Sequence, residues 1–180
     1  RRQRQMCIRD RHRNIAGGAA TQAGITYQNR VAAWITVRML AEQDASPLWD
    51  LPEITTLERL YSETADPVDD LVIRTSAGGS LFIQVKHSVS LTDQPKSSLA
   101  SCIDQFVRQF LTSTGRLGNV ETSKRHLDTS KDRLVLIMGP DSSAQLQRTL
   151  PTFLRKLRAL SPQEVNDAAA TNEQEHRVLN

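Results

Sequence analysis

Leu71-Val72-Ile73-Arg74 and Leu81-Phe82-Ile83-Gln84-Val85-Lys86 are short apolar runs held apart by Ser76-Ala77-Gly78-Gly79-Ser80, and no other feature of the chain restricts its fold as tightly. Two such runs with glycines between them predict a β-hairpin. Strand alternation then puts Gln84 and Lys86 on one face. With an odd-numbered loop centred on Gly78, Leu71 faces Val85 and Ile73 faces Ile83. One face is then wholly apolar, and the other collects Asp70, Val72 and Arg74 across from Lys86, Gln84 and Phe82. A slip of one residue would mix apolar and polar groups on both faces, which a sheet with one face in the core tolerates poorly. The pattern therefore selects Asp70 as the carboxylate that shares a face with Gln84 and Lys86, and leaves Asp69 as the second choice.

The elements around the hairpin follow from hydrophobic spacing. Tyr27, Val31 and Ile35 recur every four residues beside Trp34 and predict a first helix ending near Ala41. Asp44 to Pro52 reads as a loop and Ile54 to Tyr61 as a strand. Leu99, Ile103, Phe106 and Phe110 predict a second amphipathic helix with Ser97 at its start and Gly115 behind it. Residues 114 to 132 are polar and without period, a long loop. Arg133 to Met138 is by composition a buried strand, closed by Gly139-Pro140. A third helical region from Ser142 to Leu160 uses Leu146, Leu150, Phe153, Leu154 and Leu157, and Pro151 is expected to divide it. The order helix, three strands, helix, strand, helix describes an α/β sandwich.

Charge is unevenly placed. Six arginines against Asp10 give residues 1 to 13 a charge of +5, so a chain of net +3 carries −2 elsewhere. A basic arm of this kind can track phosphates, but the reading preferred from sequence is a solvated tail. Arg148, Arg155, Lys156 and Arg158 are likewise read as a solvated helix face. Cys7 and Cys102 are too few for a disulfide framework and lie in no metal-ligand spacing, and His12, His126 and His176 share none either. With no apolar run long enough for a membrane span and none after the arginines for a signal peptide, a cytoplasmic protein without membrane association is expected. Three segments result: a basic arm at 1–16, a catalytic domain at 17–160, and the start of a linker or following domain at 161–180. The chain begins with Arg1, and is expected to be part of a longer protein, or to start at Met6.

Asp70, Gln84 and Lys86 are the residues that carry chemistry. Hydrolysis of a phosphodiester benefits from a divalent cation such as Mg²⁺, which prefers hard oxygen ligands. Asp70 supplies a carboxylate, Gln84 a side-chain carbonyl and Val85 a main-chain carbonyl, while Lys86 is placed to position water or offset charge on the phosphorane. Glu63 and Gln28 are accessory candidates, as an extra carboxylate and a polar support. His87 falls on the apolar side of the hairpin and reads as structural. The plainer account of the same residues is a cross-strand ion pair between Asp70 and Lys86, worth about 0.2 to 1 kcal/mol.

The element order, with an aspartate at the start of the second strand and Gln-x-Lys on the third, resembles the PD-(D/E)xK nuclease superfamily, whose Gln form is similar to Mrr-type restriction endonucleases. Gly24-Ile25-Thr26-Tyr27-Gln28, the Asp69-Asp70 pair, Gln84-Val85-Lys86-His87-Ser88, Ser98-Leu99-Ala100 and the Arg133 strand look like the double-stranded DNA endonuclease domain of CD-NTase-associated antiphage effectors and of some STAND NTPase defence proteins. The resemblance covers roughly residues 17 to 160. It implies a restriction-endonuclease-like αβββαβ core with additional helices, cleavage of double-stranded DNA with Mg²⁺ or Mn²⁺, a sensor or NTPase module in the same full-length chain, and a homo-oligomer. The chain departs from the family in having no sensor or GxxxxGK phosphate loop in its 180 residues, and in having Gln84 where Glu would add a negative charge. The alternative reading is a catalytically silent nuclease-fold module that binds DNA or mediates assembly.

Overall fold

The computed structural model describes residues 2–51, 53–92, 94, 96–114 and 126–159, with the side chains of 2–17 and 157 outside the description. Most of the loop expected at 114–132, all of segment 161–180 and with it His176 therefore lie outside the described residues, and of Cys7 and His12 only the backbone is described. The chain divides into two compact units, residues 1–142 and 143–180.

The first unit is a mixed α/β structure. Helix α1 (Arg2–Leu40) is followed by the single turn α2 (Ser46–Trp49), then strands β1 (Leu57–Ser62), β2 (Leu71–Thr75) and β3 (Ser80–Lys86), helix α3 (Ser98–Ser113) and strand β4 (Arg133–Met138). The four strands form one sheet in the order β1-β2-β3-β4. β1, β2 and β3 run as an antiparallel meander, and β4 joins β3 in parallel after the α3 crossover. α1 continues without a break through the basic stretch at its start.

One face of the sheet carries Leu57, Leu71, Ile73, Leu81, Ile83 and Val85 against Val31 and Ile35 of α1, with Ala45 and Trp49 at the edge. Residues four apart on a helix lie on one side of it, which is why Tyr27, Val31 and Ile35 all reach this core. Each fully buried aliphatic side chain here contributes about 1.5–3 kcal/mol relative to exposure. Trp34 stays outside, 44% exposed, with its ring edge toward Trp49 and the Arg38 guanidinium over its face.

The opposite face, expected to be polar, is covered as well. Val68, Val72 and Phe82 form a second, smaller cluster under Phe106 of α3 and Leu127. A parallel crossover lays its helix on one face of the sheet, so α3 and α1 enclose β2 and β3 between them. Burial along β3 is accordingly continuous up to Lys86 instead of alternating, whereas β4, expected to be a buried strand, lies at the edge of the sheet and its residues are only partly buried or exposed.

The hairpin pairs Leu71 with Ile83 and Ile73 with Leu81, two residues away from the expected register. The reason lies in the loop. Gly78 takes φ +71°, and Thr75 exchanges hydrogen bonds with Gly79, leaving Ser76, Ala77 and Gly78 as a three-residue turn. Such a turn needs its left-handed residue in third place, so the centre is Ala77 and not Gly78. A slip of two residues keeps every side chain on its face, and Asp70 still shares one with Gln84 and Lys86.

α3 starts as expected, with the Ser97 side chain accepting a hydrogen bond from the Ala100 N–H at 3.2 Å. Its orientation differs. The side toward the sheet buries Cys102 and Gln109, while Ile103 and Phe110, expected to be core positions, remain exposed. In the second unit, α4 (Ala144–Ala159) runs straight through Pro151 instead of being divided there. Proline removes one hydrogen bond from a helix, and here the turns on both sides hold without it.

Candidate active site

The ladder between β2 and β3 ends at Leu71 and Ile83. One residue beyond it, the Asp70 carboxylate takes the place of a strand partner. Its Oδ2 accepts hydrogen bonds from the Val85 main-chain N–H at 2.7 Å and from Gln84 Nε2 at 2.6 Å. Lys86 Nζ lies 3.7 Å from the same oxygen. A residue's N–H and C=O leave a strand on the same side, so the Val85 carbonyl is directed to the edge where Asp70 sits. Asp69 acts on Asp70 through its charge.

Burial gives this cluster its character. The Asp70 side chain is 16% exposed and that of Lys86 29%, while Gln84 is almost fully enclosed. Both acceptor and amide were expected on a polar, open face; Phe106 of α3 packs on that face instead, and the cluster sits at the end of the hairpin. Desolvation raises the Asp70 carboxyl above the usual aspartate range, opposed by the Val85 hydrogen bond and the Lys86 charge and reinforced by Asp69 and Glu63. Gln84 Oε1 is buried with no hydrogen-bond partner. A buried amide oxygen left so costs about 1–3 kcal/mol.

The accessory candidates meet here too. Gln28, one residue past Tyr27 on α1, donates from Nε2 to Glu63 Oε1 at 3.0 Å and lies 3.4 Å from the Asp70 carbonyl. Glu63, the residue after β1, has φ +51°, a left-handed conformation that costs a non-glycine residue about 1–2 kcal/mol. The bridge from Gln28 ties this strained residue and the Asp70 backbone to α1. His87 stays with the α1 side: its ring meets the edge of Tyr27, and Nε2 lies 3.6 Å from Asp141.

Two residues that sequence reasoning passed over belong to this end of the sheet. Gln109 of α3 is fully buried and its Oε1 accepts from the Val68 N–H at 3.2 Å, fixing the segment that leads into Asp70. Cys102 is buried one turn before Phe106, with its thiol pushed up by desolvation and close enough to feel the Lys86 and Asp70 charges. Both sit three or four residues from Phe106, but so do the exposed Ile103 and Phe110, so helical spacing alone did not single them out.

The donor set fits a hard divalent cation in one respect that the structure itself displays. Gln84 Oε1 is an unused oxygen on the residue bonded to the Asp70 carboxylate, and a half-turn of the amide exchanges Nε2 for Oε1 beside it. Among the described residues no group of three or more His, Cys, Asp and Glu side chains converges as a metal site; the oxygens offered are one carboxylate, one amide and one main-chain carbonyl. No family model, no curated protein and no solved structure matches this chain.

Proposed function

We propose that the chain is a metal-dependent endonuclease domain of the PD-(D/E)xK type, hydrolysing phosphodiester bonds of double-stranded DNA as part of a cytoplasmic antiviral defence effector. The observation that carries this reading is the convergence, at the open end of one hairpin, of a part-buried carboxylate, an unpartnered amide oxygen and an ammonium 3.7 Å from that carboxylate. Asp70, Gln84 through Oε1 and the Val85 carbonyl are the groups that would hold Mg²⁺ or Mn²⁺. When bound, the cation draws charge from the phosphate and makes a coordinated water more acidic.

The chain's own residues do the rest. Lys86 is the exposed end of the cluster, so its ammonium meets the scissile phosphate and donates to the oxygen on which charge grows. The water oxygen bonds to phosphorus as the bond to the leaving sugar oxygen breaks, and the proton lost by water ends on that oxygen. Asp70 accepts a hydrogen bond from the attacking water, which turns a lone pair of the water oxygen toward phosphorus, and the Gln28 to Glu63 bridge holds the Asp70 backbone still. α3 excludes solvent from one side, strengthening every charge interaction in the site.

Double-stranded DNA is the substrate partner on this reading, and a sensor or NTPase module in the full-length chain is the regulatory one. Among the described residues no helix is long and apolar enough to cross a membrane. A second reading, the silent nuclease-fold module, is favoured by the neutral Gln84 amide donating to Asp70, which satisfies the carboxylate without a cation. Incubating the chain with supercoiled plasmid, Mg²⁺ or Mn²⁺, and chelator separates the two. Nicking that requires the cation and disappears in Asp70→Ala supports the nuclease; DNA retention with no cleavage under either metal supports the silent module.

A further inference from the structure

We infer that the outward face of α3 is an interface between two copies of this chain, packed antiparallel about a two-fold axis level with the midpoint between residues 106 and 107. Ile103, Val107 and Phe110, at positions i, i+4 and i+7, are 53%, 50% and 45% exposed, and the part-buried Leu99 and Phe106 border them. They form one continuous apolar stripe. The side of the helix that faces the sheet buries Cys102, Gln109, Thr112 and Ser113 and lays the part-buried Phe106 on Val68, Val72 and Phe82, so α3 gives its own sheet a side with more polar than apolar groups and presents Ile103, Val107 and Phe110 outward. That is the reverse of what a helix serving only its own domain does.

The charges beside the stripe say what covers it. α3 holds two ionisable side chains of opposite sign, Asp104 and Arg108, joined at 2.6 Å and both more than half exposed. A face that is apolar and net neutral does not suit nucleic acid or a strongly acidic peptide. It suits its own copy. In an antiparallel pair centred between residues 106 and 107, Asp104 of one copy comes within one residue, about 1.5 Å along the axis, of Arg108 of the other, and the two-fold axis creates that pairing twice. The same centring brings Ile103 of each copy level with Phe110 of the other, with the two Val107 side chains flanking the axis. α3 has 16 residues and so spans about 24 Å, and one helix pair of that length falls short of the roughly 1,000 Å² of a permanent interface. The dimer is therefore weak and concentration-dependent. This inference stands apart from the proposed nuclease activity.

Sedimentation velocity of the 180-residue chain, from low to high micromolar, tests it. The wild type is expected to shift from monomer to dimer across that range and Val107→Glu to stay monomeric. Asp104→Arg and Arg108→Asp should each dimerise at least about tenfold more weakly, since each homodimer then opposes like charges. Mixed in equal amounts, the two charge variants should dimerise again, because every opposite-charge pair across the axis is restored. These are exposed positions, so the mixture decides the matter even if Val107→Glu fails to fold. A wild type that stays monomeric throughout, as when another segment of the chain covers the stripe, overturns the inference. So does a dimer that both Val107→Glu and the charge variants leave unchanged, or a mixture no tighter than its components.

Discussion

Asp70 carries a cost that its neighbours only partly offset. Its carboxyl is raised mainly because the fold removes it from water, with Val85 and Lys86 pulling the other way. At pH below the unfolded-state value, near 4 for aspartate, both states are protonated and no penalty exists. As pH rises through the higher folded value, the fold must accept a charge it disfavours, and that stability is lost. Asp70→Asn, neutral throughout, should therefore unfold at equal or higher urea concentration than wild type at pH 8, with the difference closing as pH falls toward 4. A variant clearly less stable at pH 8 would mean that the hydrogen bonds to Oδ2 outweigh the desolvation. Lys86 is tested by rate. Lys86→Ala should reduce single-turnover cleavage about 10²-fold or more, by comparison with the loss of one transition-state donor, while DNA binding measured in Ca²⁺ changes little. Lys86→Arg should not restore the rate, because a planar fork cannot place its charge where the ammonium was. Proportional loss of binding and cleavage would make Lys86 a docking group instead.

At the scale of elements, the β2–β3 hairpin depends on two adjacent glycines for different reasons. Gly78 supplies a positive φ and has open space where a Cβ would stand, whereas a Cβ on Gly79 would run into the Lys131 carbonyl. Gly78→Ala should cost about 1 kcal/mol from the left-handed conformation alone, and Gly79→Ala several times that, on the order of 3 kcal/mol, because backbone must move. Equal urea midpoints for the two would contradict this account. These glycines also show what could be read beforehand. The hairpin, β4 and the α3 start were legible because short apolar runs and a serine cap are local signals. The register was legible in parity only: alternation fixes which face Asp70 occupies, but the third-place demand of Gly78 fixes the partner. Burial of both faces was not legible in β2 or β3, since it depends on where the crossover lays α3. For the same reason Ile103 and Phe110 read as core while Cys102 and Gln109 did not. Glu63 and Gln28 were picked as residue types, and their hydrogen bond across 35 residues of chain is a property of the fold.

For the molecule as a whole, the region bearing the candidate site does not attract DNA by its net charge. Residues 14–142 hold twelve basic and fifteen acidic residues, which leaves −3 around Asp70. The positive charge is concentrated at the start of the chain, in the first turns of α1, and on α4, which carries Arg148, Arg155, Lys156 and Arg158 with no acidic residue. Arg13 precedes Tyr27 by 14 residues, about 21 Å along the helix, so the arginines are too far along α1 to take part in chemistry at Asp70. A basic terminus by itself is ordinarily a solvated tail. A chain that captures a polyanion beside a net-negative site needs its counterion release from elsewhere, and +5 on residues 1 to 13 is the largest source it has. Deleting those residues should therefore weaken DNA binding and flatten its log-log dependence on salt by about 0.9 for each phosphate that the arm no longer neutralises, while the single-turnover cleavage rate at saturating chain stays the same. Fluorescence anisotropy on a short duplex across a series of salt concentrations reads the slope. An unchanged slope would return the arm to a solvated tail and move the electrostatic attraction to α4, and a lower saturated rate would place the arm in the chemistry, against the distance along α1.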